Sequence, residues 1–231
     1  MTVAAVVPAA GRGERLGPGA PKALRELAGT PMLVHAVRGL LRARLVDLVV
    51  VAAPPGGEAE VRAVLDTYDV SKEVRVVTGG ATRQESVRRS IDALPDDVDV
   101  VLVHDAARPL APSELADAVV ARVRGGADAV VPGLPVADTI KRVGPGSVVT
   151  ETLARSELVA VQTPQGFTRE LLTKAHDAAV VDGYDATDDA GLVERVGASV
   201  TVVPGSAEAF KVTRPADLVY AEALLRDRRA R

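Results

Sequence analysis

Five short apolar runs, spaced by segments with helix signals, constrain this chain more than any other feature. They cover residues 3–7, 48–52, 74–77, 98–103 and 127–131. Continuous apolar runs of this length suit strands buried on both faces of a parallel sheet. Between them the sequence predicts helices over 31–43, from Gly56-Gly57 to about residue 68, over 83–94 and over 113–124. Thr30 stands as an N-cap with Pro31 at the first helical position, and Ser113 caps the fourth helix. Strands alternating with helices require crossover connections, which are right-handed. Ligands of such sheets bind beyond the carboxyl ends of the strands. Pro8, Gly79-Gly80 and Asp105 all stand at such ends, so three separate segments can converge on one site.

The alternation breaks at 135–161, where Thr, Val and Ile mix with charge around a Gly144-Pro145-Gly146 turn. The residues alone leave this as either a projecting arm or a surface β-excursion. Helices over 169–181 and 187–196, a strand at 200–203 and a helix from 215 to about 228 complete the chain. The expected fold is α/β: a Rossmann-like open, mostly parallel sheet with helices on both faces, as one domain over 1–231 with an arm at about 135–161. Its 231 residues suffice for a sizeable core. With only three Tyr, two Phe and no Trp, that core must be built from Val, Ala and Leu.

After the first run comes PAAGRGERLGPGAPK, where small residues let a backbone approach a ligand and successive N–H groups can form an anion nest. It fails the dinucleotide fingerprint, because the sixth place holds Leu16 and no acid lies between Glu26 and Asp47. It fails the P-loop as well, since Pro21 precedes Lys22. What remains is Gly11-x-Gly13-x-Arg15 closed by Pro21-Lys22, a loop suited to a phosphorylated ligand. Residue type alone leaves Arg15 and Lys22 as either phosphate ligands or exposed loop cations. Asp105 is either a Mg²⁺ ligand facing phosphates or a turn-forming acid.

Composition narrows the partners. The 28 basic and 31 acidic residues leave a net charge of −3, without the basic field of a polynucleotide binder, and aromatic stacking platforms are scarce. Cysteine is absent, which removes disulfides, thiolate metal sites and a thiol nucleophile, and three histidines make a His-rich metal site a poor expectation. Neither a signal peptide nor an apolar run of spanning length is evident, so a cytoplasmic protein without membrane contact is expected. His35 reads as a packed or edge residue of an apolar helix face, His104 as a loop-orienting group and His176 as a surface helix residue. Asp188 and Asp189 read as acids favouring a helix N-terminus.

The Gly-rich loop is similar to the signature loop of sugar-phosphate nucleotidyltransferases. Together with HDAARP at 104–109 and KVTRPAD at 211–217, it resembles the 2-C-methyl-D-erythritol 4-phosphate cytidylyltransferase family. The resemblance runs from residue 3 to residue 217 and implies CMP transfer from CTP to a polyol phosphate with release of pyrophosphate. Such a transfer between anions needs cations, a divalent metal and fixed N–H donors rather than an acid–base pair. By resemblance, Arg15 and Lys22 stabilise the transition state and Lys211 assists. Pro8, Ala9, Ala10, Gly11, Gly13, Gly80, Ala81, Ser86 and Asp105 form the nucleotide side. Asp105, Ala106, Arg108, Thr139, Arg155, Thr163, Thr187 and Lys211 form the substrate side, and Asp105 takes Mg²⁺. Ala81 stands where the family often has an acid, which leaves a backbone contact to the base at that position. The resemblance also implies a homodimer whose arms exchange, so that Arg155 serves the neighbouring subunit. Ribitol 5-phosphate is the alternative acceptor, and a catalytically silent nucleotide-binding module is the alternative of another class.

Overall fold

The computed structural model describes residues 1–11 and 21–230. In chain order the strands and helices are β1 (Thr2–Pro8), β2 (Glu26–Leu27), β3 (Thr30–Pro31), α1 (Met32–Leu41), β4 (Leu48–Ala53), α2 (Glu58–Thr67), β5 (Val74–Thr78), α3 (Arg83–Asp92) and β6 (Val98–Val103). There follow α4 (Ser113–Arg124), β7 (Ala129–Pro135), β8 (Lys141–Val143), β9 (Val149–Thr152), β10 (Val159–Val161), β11 (Gln165–Thr168), α5 (Arg169–Asp182), α6 (Asp189–Arg195), β12 (Val200–Pro204) and α7 (Pro215–Ala230).

The main sheet runs β10-β7-β11-β6-β1-β4-β5, with β12 on the other edge of β7. The pairs β1–β4, β1–β6, β4–β5 and β7–β12 are parallel, whereas β11 is antiparallel to both β6 and β7. The central strands β1, β4 and β6 and most of β7 are buried on both faces, as their apolar runs require, whereas β5 and β12 toward the edges are only partly covered. Val3, Ala5 and Val7 pack with α1, α2 and α4, while Ala4 and Val6 face α3, α5 and α6. Because β4 lies on one side of β1 and β6 on the other, the strand order reverses beside β1. A crevice opens at the carboxyl ends there.

Several boundaries differ from the sequence reading. Thr30 is not the cap of α1: it pairs with Leu27 in a small hairpin, and Pro31 takes the cap position without a side-chain bond. Ser113 is the first residue of α4 rather than its cap, which is Pro112. The fifth apolar run enters the sheet at Ala129 rather than 127. No apolar run marks β11, a short strand with Gln and Gly where such a run would stand. Its Gly166 lets the sheet and α4 close together, since a Cβ there would lie 2.5 Å from Val119 Cγ1. Among the described residues no helix is long and apolar enough to cross a membrane.

Within 135–161, β8 and β9 form a separate antiparallel hairpin, and β10 returns to pair with β7. Arg142–Glu151 and Lys141–Thr152 contacts tie the hairpin together, but its residues are exposed, Val143, Val148 and Val149 included.

Candidate active site

Three loops at the carboxyl ends of β1, β5 and β6 form the site. The first leaves β1 with Ala9 N–H bonded to Ala52 O at 2.9 Å, which directs Ala10 and Gly11 over the end of the sheet. Gly13 and Arg15 lie outside the described residues. Lys22 re-enters at the start of a short 3₁₀ turn, on the wall of the same cleft.

The second loop is fixed by side chains of the helix that follows it. Gly80 N–H donates to Ser86 Oγ at 3.0 Å, Ala81 N–H to Glu85 Oε2 at 2.7 Å, and Glu85 N–H to the Thr82 hydroxyl at 3.1 Å. Arg89 closes the set, donating to Gly79 O at 2.8 Å and to Glu85 Oε1 at 2.5 Å. Glu85 folds back over Gly80, occupying the space that a Cβ there would need. Ser86 is therefore a fully buried brace of the loop.

The third loop holds His104 and Asp105. Asp105 N–H donates to Thr163 Oγ1 at 3.0 Å, so the single Thr163 hydroxyl proton is left for His104 Nδ1 at 3.1 Å. His104 Nε2–H then faces Arg108 O at 3.3 Å, an arrangement that assigns a neutral ring. Burial pushes the His104 pKa down to about 4. His104 thus orients the loop, as its sequence position indicated.

The Asp105 carboxylate is the centre of the charge network. Arg83 Nε approaches Oδ1 at 3.1 Å and Lys211 Nζ approaches Oδ2 at 2.6 Å. Burial raises the Asp105 pKa, but Arg83 and Lys211 more than offset this and hold it well below the usual carboxylate range. Lys211 is delivered by the segment before α7. Val212 N–H bonds to Ala107 O at 2.8 Å, and Asp217 Oδ2 accepts from Thr213 N–H, Thr213 Oγ1–H and Arg214 N–H. The KVTRPAD run is a self-capped turn that holds a lysine against Asp105.

Arg83 extends the network inward, its Nη1 lying 2.7 Å from Asp189 Oδ2 in an ion contact that is not aligned as a hydrogen bond. Asp189 Oδ1 meets His176 Nε2 at 3.0 Å, and both residues are only 1% exposed. His176 is thus not a surface residue: α5 turns it inward against α6. Asp189 is the first residue of α6, as its position in the sequence indicated, but its carboxylate turns inward to Arg83 and His176, while Asp188 caps the helix by accepting Gly191 N–H at 3.0 Å. Burial raises the Asp189 pKa, and Arg83 and then His176 more than reverse it. Removing one partner from such a buried pair typically costs about 3–5 kcal/mol.

Two cavities share this network. The first, an open cleft of about 250 Å³ and the larger of the two, is lined by Pro8, Ala9, Ala10, Gly11, Lys22, Ala81, Ser86, Asp105 and Ala106 among others. The smaller, about 230 Å³, is lined by Arg108, Thr163, Gln165, Thr187 and Asp188 among others. Arg83, Asp105 and Lys211 belong to both walls. Arg108 brings charge to the smaller cavity, although it already donates to Ala209 O at 2.7 Å and to Val161 O at 3.3 Å. Thr139 and Arg155 lie in neither cavity wall. Both are exposed in the arm, where Arg155 donates to Ala137 O at 2.8 Å. Arg83, Glu85 and Arg89 escaped the sequence reading, which took Asp189 only as an acid at a helix start. The only sign of them was a run of charges in α3, which reads as solvated surface.

Among the described residues no group of three or more His, Cys, Asp or Glu is placed to hold a metal. Asp105 is the only carboxylate among the described residues lining the larger cleft. Each of its oxygens accepts one cationic donor and keeps a lone pair, a donor set that fits an ion carried mainly by phosphate oxygens.

Comparison with known proteins gives a consistent result. The family model described as 2-C-methyl-D-erythritol 4-phosphate cytidylyltransferase (IspD) matches residues 3–227. A protein of that name from Streptomyces avermitilis is 59% identical over 98% of this chain and 92% of its own length. The crystal structure of the Thermus thermophilus protein of that name superposes with a TM-score of 0.79 at 38% identity, covering 98% of this chain and all of that one. The 4-diphosphocytidyl-2C-methyl-D-erythritol synthase structure from Anaerococcus prevotii gives a TM-score of 0.85 at 27% identity, over 97% of this chain and 96% of that one.

Proposed function

The chain belongs to the 2-C-methyl-D-erythritol 4-phosphate cytidylyltransferase family, and we propose that its two cavities receive the two substrates of that reaction. The reaction transfers CMP from CTP to 2-C-methyl-D-erythritol 4-phosphate in non-mevalonate isoprenoid biosynthesis. A phosphate oxygen of the polyol attacks the α-phosphorus of CTP, the bond to the β-phosphate breaks, and 4-diphosphocytidyl-2-C-methyl-D-erythritol and pyrophosphate result. The observation that carries the assignment is the wall common to both cavities, where Lys211 and Arg83 grip Asp105.

In this reading CTP occupies the larger cleft. Its base lies against Pro8, Ala9, Ala10 and the braced Gly80–Ala81 turn, and its triphosphate lies over Gly11, within reach of Lys22. Lys22 and Arg15 meet the charge that develops as pyrophosphate leaves, an interaction that gains strength in the transition state. The polyol phosphate enters the smaller cavity, where Arg108, Thr163, Thr187 and Lys211 orient it. Lys211, on the common wall, holds the attacking phosphate in line with the α-phosphorus. Mg²⁺ is the proposed cofactor: Asp105 would hold it beside the triphosphate, where it would neutralise phosphate charge. The arm of a second copy supplies Thr139 and Arg155, a reading supported by the exposed valines of the hairpin. We place the enzyme in the cytoplasm, where CTP is available.

Pyrophosphate release with CTP and 2-C-methyl-D-erythritol 4-phosphate tests the assignment, with ribitol 5-phosphate as the competing acceptor. Release is expected with the methylerythritol phosphate and to be at least about 10²-fold weaker in kcat/KM with ribitol 5-phosphate, the discrimination that a few hydroxyl contacts can supply. Equal or better use of ribitol 5-phosphate would overturn the acceptor assignment.

A further inference from the structure

The reaction as described above has no use for His176, yet this ring is buried behind the wall that both cavities share. We infer that His176 is a positioning residue for the polyol-phosphate side of the site, acting through Asp189 and Arg83. The path is continuous. His176 Nε2 meets Asp189 Oδ1 at 3.0 Å, and Asp189 Oδ2 lies 2.7 Å from Arg83 Nη1. Arg83 Nε is 3.1 Å from Asp105 Oδ1, and Asp105 Oδ2 is 2.6 Å from Lys211 Nζ. The inference rests on the reading that Lys211 and Asp105 face the acceptor.

The physical reason lies in how Arg83 is shared. A guanidinium beside a carboxylate favours two parallel bonds, one to each oxygen. Asp189 and Asp105 compete for Arg83, and Asp189, being almost wholly buried, has no water to satisfy its second oxygen. His176 satisfies that oxygen, so Asp189 engages Arg83 through Oδ2 alone and Arg83 Nε stays with Asp105. Without the imidazole donor, neither oxygen of Asp189 keeps an aligned side-chain hydrogen bond, and the carboxylate draws Arg83 into a bidentate pair. Asp105 then loses a partner and follows Lys211. The nucleotide side is held independently by Glu85, Ser86 and Arg89 on the loop after β5. The disturbance therefore reaches CTP only through Asp105 on the shared wall and falls mainly on the acceptor.

The test is the KM for each substrate in His176→Leu and His176→Gln, measured in the full-length enzyme. Gln carries an N–H donor to about the place of Nε2, and Leu does not. His176→Leu is expected to raise the KM for 2-C-methyl-D-erythritol 4-phosphate about tenfold while that for CTP stays within about threefold; His176→Gln recovers most of the loss. A purely structural role lowers the active fraction and moves neither KM, and that result would overturn the inference. Wild-type turnover in the same assay separates this failure from a failure of the assigned reaction. Should His176→Leu not fold, imidazole nitrogen NMR on the wild type decides. Saturation with the acceptor is expected to shift the His176 Nε2 resonance, and an unmoved resonance would contradict the coupling.

Discussion

Lys22 and His104 show how differently two residues of one site can be tested. Lys22 lies at the cleft wall and is assigned to charge that develops only in the transition state. Lys22→Ala is therefore expected to lower kcat by about 10²–10³-fold, the scale for losing one preorganised donor; steady-state kinetics with an unchanged kcat would remove it from the mechanism. His104 acts on stability. Its pKa is about 4 in the folded chain against an ordinary value of 6.5. As the pH falls from about 6.5 to about 4, the unfolded chain takes up a proton that the native ring refuses, so stability is lost across that window. One such group accounts for roughly 3 kcal/mol. Urea unfolding should show this loss in the wild type and a flatter profile in His104→Gln; identical slopes would contradict the buried neutral ring. Asp105 and Asp189, with depressed pKa values, add their loss only below the ordinary carboxylate range. Several site residues could be read from type and position: small residues after β1, an acid after β6, a lysine before a capped turn. Arg83, Asp189 and His176 could not. A charged residue on an amphipathic helix reads as solvated until a second helix is known to cover it, and that covering comes from the packing of α5 and α6 on α3.

At the scale of elements, apolar runs gave the parallel strands and helix signals gave the crossovers to within a few residues. The miss was β11, whose four residues owe their place to the register with Val100–Val103 and Ala129–Val130 rather than to their own propensity. The excursion at 135–161 was legible as a break in the alternation, and the structure shows it as an exposed hairpin followed by a strand that returns to β7. Its hairpin is tied to itself by cross-strand contacts and exposes Val143, Val148 and Val149, an arrangement that pairing with a second copy would cover. If arms exchange, a mixed dimer of one Lys22→Ala chain and one Arg155→Ala chain contains one intact site and one doubly altered site. The isolated heterodimer should recover about half of wild-type turnover, although each parent homodimer is impaired. A heterodimer no more active than its parents would show that Arg155 does not cross.

For the molecule as a whole, the reversal of strand order beside β1 gathers three loops, and the segment before α7 adds Lys211 to them. Two cavities meet at Asp105, Arg83 and Lys211, and a transfer between two phosphorylated substrates needs such a shared wall. The most direct test is a crystal structure with CTP and Mg²⁺ bound. The triphosphate is expected over Gly11 within hydrogen-bonding distance of Lys22, with the α-phosphorus turned toward Lys211. A nucleotide whose phosphates lie outside that cleft would contradict the account.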